Sequence, residues 1–340
     1  MANMTIYTLA KELNMTPSMV SRAFNPEGKI NEEKRQLVLA TAKKYNFLPN
    51  KFASRLSMRT IKIGILINSK FQVNCDKMIS GIQAAYEVLK DYKIEYEITV
   101  FRSGEKTIED YKKVLMKYAE YDGIIVAGLS SRKYTPVLNE VYRLNKNIVQ
   151  VQGINEEAAH LFSSKHNEEI ASNLAAEFLY NSLRFSEQKN VVLFTGDKES
   201  AVHLSAEKFF IEACERFGLH ILECVDMKDS NECLREVVPG IFQKYDVKGL
   251  YITSGVSTAL CEYLEERGTN IPVVGFDTHS VMNEYLEKGV VSATITQNVG
   301  MQMQTAFESL VEYIIDDKKC DKIIYTDVQL VLKSNMHLFE

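Results

Sequence analysis

No apolar run in the 340 residues approaches the ~20 needed to span a bilayer, which excludes a transmembrane helix. The opening stretch, MANMTIYTLAKELNMTPS, lacks an apolar core and carries Lys11 and Glu12, so it is not expected to act as a secretory signal. The six cysteines (Cys75, Cys214, Cys224, Cys233, Cys261, Cys320) lie far apart with no CxxC spacing. They read as free thiols of a cytoplasmic protein and not as a disulfide or metal scaffold. The six histidines (His160, His166, His203, His220, His279, His337) show no metal-ligand spacing. GxGxxG, GxxxxGK[ST], HExxH and GxSxG are all absent, and no nucleophile has a recognisable base. No enzyme, cofactor or membrane partner is expected.

What is present is an ordinary globular composition, 46% apolar and 25% charged. The length exceeds the ~250–300 residues at which a single core stops growing, so more than one domain is expected. The charge is divided unevenly. Residues 1–60 carry ten Lys/Arg against four Glu, a net of +6, while the remaining 280 carry 30 basic against 41 acidic residues, a net of −11. A basic head on an acidic body suits a polyanion-binding module joined to one that avoids polyanions.

The head reads as three short helices. Thr5 caps the first, whose face is Ile6, Leu9, Ala10 and Leu13. After the turn Asn14-Met15-Thr16, Thr16 caps a second helix with Pro17 at its first position. Met19, Val20, Ala23 and Phe24 are expected inside, with Pro17, Ser18, Ser21, Arg22 and Asn25 outside. A third helix begins after Asn31, with Leu37, Ala40, Ala42 and Tyr45 on its expected buried side. Two short helices, a tight turn and a brace make a helix-turn-helix unit, whose second helix enters the major groove of DNA. Ser18 and Arg22 suit base edges, while Thr5, Tyr7, Thr16, Ser21 and Asn25 suit phosphates. A small protein-binding helical domain is the alternative.

TIYTLAKELNMTPSMVSRAFN followed by NFLPNKFASRLS resembles the head and hinge of the lactose repressor (LacI) family. The resemblance rests on the VSRxxN core at Val20–Asn25 and the PNxxAxxL segment at Pro49–Leu56, and continues more weakly along the rest of the chain. It implies that residues 50–58, including Asn50, Lys51, Ala53 and Arg55, form a hinge helix on DNA. It also implies that Leu56 wedges into the minor groove, unstacking one step so that a bent duplex meets more protein surface.

From Ile61 short apolar strands alternate with amphipathic helices, which predicts parallel sheets covered on both faces. The expected fold class is a small all-α helix-turn-helix head plus an α/β two-lobed body, periplasmic-binding-protein-like, of two doubly wound parallel sheets. The expected division is a head at 1–48, a hinge at 49–60 and a body at 61–340. One lobe would hold about 61–160 plus 296–322, the other about 161–295 plus 323–340. Ligands in such sheets bind at the carboxyl ends of the strands. That rule selects Asn68, Ser69, Asn74, Gly128, Ser254 and Gln297 as effector-binding candidates. IPVVGFD (Ile271–Asp277) is the strongest local match to the family, which implies that Asp277 contacts a sugar hydroxyl or related polar group; a loop-capping role is the alternative.

The chain also departs from that family. Its sugar-binding members usually carry an aromatic pair where Asn74-Cys75 stands, an Arg near Ser205-Ala206, and an Asn-Asp pair after the strand ending in Thr253-Ser254-Gly255. A common pyranose therefore does not transfer as effector. Lys70, Lys198 and His203 lie near strand ends, where they could meet an anion, and His166 could line the cleft; ordinary surface roles are the alternative. The resemblance implies a cytoplasmic, nucleoid-associated transcription regulator, expected to be a repressor. It would bind a pseudo-palindromic operator as a homodimer, under control of a small effector of carbohydrate type. Induction and corepression both stay open, as do dimer and tetramer, although no heptad-like leucine tail is evident. The competing classes are a regulator whose body answers to a partner protein, and a solute-binding protein that is not exported.

Overall fold

The computed structural model describes residues 5–24, 30–45, 47, 59–102, 104–198 and 200–339. The chain divides into two compact units, one of Met1–Thr60 with Asp91–Lys93 and a larger one of Ile61–Lys90 with Ile94–Glu340.

The smaller unit holds α1 (Ile6–Glu12), α2 (Pro17–Phe24) and α3 (Glu32–Lys44). The Thr5 hydroxyl accepts from Thr8 N, and the Thr16 hydroxyl from Met19 N at 3.2 Å, so each satisfies a donor in the first turn of its helix. Asn31 does the same for α3 through Glu33 N at 2.8 Å. Leu9, Ala10, Val20, Ala23, Val38 and Ala42 form a common core. α3 buries only one residue of the expected face, Ala42, and turns Val38 inward beside it. Val38 and Ala42 are buried, whereas Leu37, Ala40 and Tyr45 are exposed. The apolar run Leu37-Val38-Leu39-Ala40 has no single periodic face, and packing against α1 and α2 selects the i, i+4 pair Val38/Ala42. The Arg35 guanidinium donates to Ala23 O at 3.2 Å, and the Tyr45 hydroxyl to Glu12, tying α3 to its two neighbours.

The larger unit has two lobes, each built on a six-stranded sheet. The first lobe contains β1 (Ile61–Asn68), α4 (Gln72–Val88), β2 (Ile94–Phe101), α5 (Ile108–Tyr118), β3 (Gly123–Ala127), α6 (Thr135–Leu144), β4 (Ile148–Val151) and β5 (Phe162–His166). The second contains α7 (Glu168–Ser182), β6 (Asn190–Thr195), α8 (Ala201–Phe217), β7 (His220–Asp226), α9 (Asn231–Lys244), β8 (Gly249–Ile252), α10 (Thr258–Glu266), β9 (Val273–Phe276), α11 (Ser280–Lys288) and β10 (Ala293–Thr296). The chain then returns to the first lobe as α12 (Val299–Asp316) and β11 (Ile323–Thr326), and ends in the second with β12 (Gln329–Val331).

The sheet orders are β11-β5-β4-β3-β1-β2 and β12-β10-β9-β8-β6-β7. Every pairing in the first sheet is parallel, while β12 runs antiparallel to β10 at the edge of the second. The expectation of two doubly wound parallel sheets holds except at that edge strand. The expected lobe limits shift as well: β5 and β11 both lie in the first sheet, so the crossings fall after His166, Thr296 and Thr326. Central strands such as β3 and β9 are buried along their whole length, as sheets covered on both faces require. In the second lobe, apolar clusters form on both faces of the sheet, around Phe194, Leu250 and Ile252 on one side and Leu193, Phe210 and Tyr251 on the other.

Each of the three crossings is one or two residues long. Asn167 caps α7 by accepting from Ile170 N at 3.1 Å, and Asn298 caps α12 by accepting from Met301 N at 3.1 Å. Two of the three connections are thus also the starts of helices, while the third joins strand β11 to strand β12.

Candidate functional site

The smaller unit presents α2 as its chemically distinctive surface. Val20 and Ala23 are buried, while Ser18, Ser21 and Arg22 are exposed and share the outer side. Pro17 occupies the first turn, and Tyr7 of α1 is 72% exposed. Thr5 and Thr16 have their hydroxyls engaged as caps, which sets the helix starts that position these groups. The remaining DNA candidates, Asn25, Asn50, Lys51, Ala53, Arg55 and Leu56, lie outside the described residues, as does the 50–58 hinge segment.

In the larger unit a cleft of about 650 Å³ opens between the carboxyl ends of the two sheets. All seven residues chosen at strand ends line it: Asn68, Ser69, Asn74 and Gly128 from the first lobe, Ser254 and Asp277 from the second, and Gln297 from the crossing between them. Several have polar atoms already committed. The Asn68 amide nitrogen donates to Gly128 O at 2.8 Å, and its oxygen accepts from the Tyr111 hydroxyl at 2.6 Å. A side chain at position 128 would meet Asn68 O at 2.1 Å, and φ there is +74°, so this strand end requires glycine. The Ser69 hydroxyl accepts from Phe71 N at 3.1 Å. Asn74 lies in the first turn of α4, which begins at Gln72.

Asp277 follows the buried strand β9 in the left-handed region, at φ +63°. Its backbone is fixed by Asp277 N donating to Ile295 O at 2.7 Å and by the Thr294 hydroxyl donating to Asp277 O at 2.9 Å. Its carboxylate accepts from Gln297 Nε2 at 2.8 Å. A strand-end acid is therefore oriented from the crossing, with acceptor capacity remaining.

A second polar group surrounds Asp229, which sequence reasoning did not single out. Its carboxylate accepts from the Ser254 hydroxyl at 2.5 Å and from Asp197 N at 3.4 Å, with His203 Nε2 at 3.6 Å. Burial acts to raise its pKa, but the His203 hydrogen bond and charge, with the Ser254 hydroxyl and the Asp197 amide, outweigh it and hold the carboxyl at about 2. His203 is positioned by Thr253 Oγ1, 3.1 Å from Nδ1. His279 was also missed. Its Nδ1 caps α11 by accepting from Met282 N at 3.3 Å, so Nε2 carries the proton. His279 lines the cleft, its buried Nε2–H makes only a loose backbone contact at Gly255, and burial lowers the ring's pKa against the opposing Asp277 charge, favouring the neutral form. Of the earlier secondary candidates, Lys70, His166 and His203 line the cleft. Lys198 is not among the lining residues; it pairs with Glu207 at 2.7 Å.

The charged lining residues are segregated. Lys70, Arg102, Lys133 and Lys165 all come from the first lobe, and no lining acid does among the described residues. Glu168, Asp197, Asp229 and Asp277 all come from the second, with no lining Lys or Arg among the described residues. Lys165 and Glu168 pair with each other at 3.3 Å across the first crossing.

Among the described residues no group of three or more His, Cys, Asp or Glu is arranged to hold a metal ion, and no helix is long and apolar enough to cross a membrane.

Comparison with known proteins gives a consistent picture. Residues 75–319 match the family described as periplasmic binding protein domain. The chain is 23% identical to the HTH-type transcriptional regulator pepR1 of Lactobacillus delbrueckii subsp. lactis, over 98% of each chain. It is 28% identical to catabolite control protein A of Staphylococcus aureus over 47% of this chain and 46% of that one. Among solved structures it resembles GanP, a glucose-galactose binding protein from Geobacillus stearothermophilus. That likeness has a TM-score of 0.69 at 21% identity, covering 82% of this chain and 99% of that one, and it concerns the fold.

Proposed function

The chain belongs to the periplasmic binding protein domain family, in its lactose repressor (LacI) type of regulator, and from that membership we propose that it is a sequence-specific DNA-binding transcription regulator whose cleft receives a small effector. The head would occupy residues 1–48 and a hinge 49–60. The protein would act by binding and not by catalysis, as a repressor and as a homodimer on a pseudo-palindromic operator. α2 would enter the major groove with Ser18 and Arg22 toward base edges, and the hinge would place Leu56 in the minor groove.

The observation that carries this reading is the division of α2, with Val20 and Ala23 sealed in the head core while Ser18, Ser21 and Arg22 stand exposed together. The +6 charge of residues 1–60 supports it, because backbone neutralisation supplies most non-specific DNA affinity. The cleft supports the second half. It offers hydroxyl-binding groups on two lobes joined by three short crossings, so an occupant that contacts both lobes favours the closed state. Closure would then alter hinge spacing and operator affinity. A carbohydrate or carbohydrate derivative suits the Asp277, Asp229 and His279 groups. Selection of bound DNA from a random pool with the full chain tests the first half. An enriched inverted repeat is expected, and recovery of no preferred sequence overturns the reading.

A further inference from the structure

We propose that the effector is an anionic polyol, bound with its phosphate or carboxylate against the first lobe and its hydroxyls against the second. The proposal rests on the regulator reading above and deepens it by naming the ligand's charge and polarity.

The observation is the segregation of charge across the cleft. The chain as a whole has 40 basic and 45 acidic residues, so a wall with one sign only is not what its composition would supply. With Lys165 neutralised by Glu168, the first lobe still presents Lys70, Arg102 and Lys133, none with a carboxylate within ion-pair distance among the described residues. Exposed lysines are ordinarily solvated surface groups. These three follow three different strands, β1, β2 and β3, and all line the first-lobe side of the cleft, with no lining acid beside them among the described residues. They flank the start of α4, where the N-cap residue Phe71 has no side-chain acceptor for the first-turn amides and Gln72 and Val73 face the cleft. A doubly charged oxyanion there would meet guanidinium and ammonium donors that have no carboxylate partner among the described residues.

The second lobe has the opposite chemistry. The Asp277 and Asp229 carboxylates accept hydrogen bonds, while the buried Nε2–H of His279, a donor, has only a loose backbone contact at Gly255. A hydroxyl is the simple group that answers both needs, donating to a carboxylate and accepting from the imidazole. An anion on this side would face the carboxylates, so the ligand has one orientation. Position 74–75 offers Asn and Cys in place of an aromatic pair, so the side chain there can hydrogen-bond a ligand and not stack on it.

Calorimetry on the full chain at constant ionic strength, with thermal unfolding in parallel, tests the proposal. The probes are D-glucose 6-phosphate, D-glucuronate, D-glucose, D-ribose 5-phosphate, D-ribose and inorganic phosphate. An anionic member is expected to bind about 10- to 100-fold tighter than its neutral partner, the range that charge-assisted hydrogen bonds supply. Phosphate against carboxylate as the source is read from the glucose series. The preference should vanish in the Lys70→Gln/Arg102→Gln double variant. It should persist in Arg132→Gln, whose side chain is exposed and paired with Glu157 away from the cleft lining. Equal binding of a neutral sugar, or an anion preference that survives the double variant, overturns the proposal while leaving the regulator reading intact. No response to any probe, inorganic phosphate at millimolar concentration included, overturns it as well; the DNA selection above judges the regulator reading independently.

Discussion

Lys77 of α4 reaches from the first lobe to the second. Its Nζ donates to the carbonyl oxygen of Thr278 at 2.6 Å and to the hydroxyl at 3.1 Å. Burial lowers the lysine's pKa, and the neighbouring Asp277 charge opposes that shift. The contact adjoins the strand-end acid that faces the cleft, so occupancy of the cleft and the inter-lobe bond share one loop.

Lys77→Met should therefore loosen the two lobes. Thr278 is buried, and leaving its carbonyl unpaired costs about 1–3 kcal/mol of stability. Small-angle scattering should show a larger radius of gyration, and effector affinity should fall because closure loses a contact. An unchanged radius with unchanged melting would remove this bond from the closing mechanism.

Asp277→Ala should lower effector affinity by about 10- to 150-fold, since a lost hydrogen bond to a charged group costs roughly 1.5–3 kcal/mol. Operator affinity without effector should stay near wild type, because the two sites are linked only through closure. Gln297 loses its carboxylate partner in the variant, so Gln297→Ala should reproduce part of the effect. Titration by calorimetry alongside DNA anisotropy checks both; normal effector binding would make Asp277 a loop cap.

Arg22→Ala should cost about 1–3 kcal/mol on the preferred operator and relax base preference at one position, the value of a bidentate arginine–guanine contact. Equal weakening on all sequences would assign Arg22 to a phosphate. Lys51→Ala or Arg55→Ala should weaken binding uniformly and flatten its salt dependence. Leu56→Ala should reduce operator bending in a phasing assay with the body's folding unchanged.

Asp229 predicts a limb in the acid stability profile. An unfolded aspartate titrates near ~3.9, while this one is held at about 2 when folded, so the folded state binds fewer protons between those values. The stabilisation is complete above pH ~5 and is lost progressively as pH falls toward ~1, to a total of about 2–3 kcal/mol. Asp229→Asn should be less stable near neutrality and show a shallower decline over that window. Denaturant unfolding at a series of pH values measures it, and a parallel decline in variant and parent would reject the assignment.

The cleft residues were legible because parallel strands end on one side, so a polar residue after an apolar run is placed there by topology alone. Asp277 after VVGF and Asn68 after IKIGILI are the clearest cases. β5 was not legible: FSSKH has one large apolar residue, and its burial comes from its place between β4 and β11. Missing it misplaced the first crossing, and with it the lobe that owns Lys165. His279 hid because a cap and a cleft donor are the two nitrogens of one ring, which no spacing records. The segregated charge is a property of the walls, visible only once each strand end has been assigned to its lobe.

The close approach of α4 and α12 carries a mechanical consequence. A Cβ on Gly81 would lie 2.1 Å from the carbonyl oxygen of Gly300, and one on Gly300 would lie 2.9 Å from that of Lys77, so the two helix backbones meet over a full turn of α4 that admits no side chain. A larger residue at either glycine would wedge the pair apart beside Lys77, whose ammonium holds the second lobe, so the tightness of this seam also sets the reach of the inter-lobe bond.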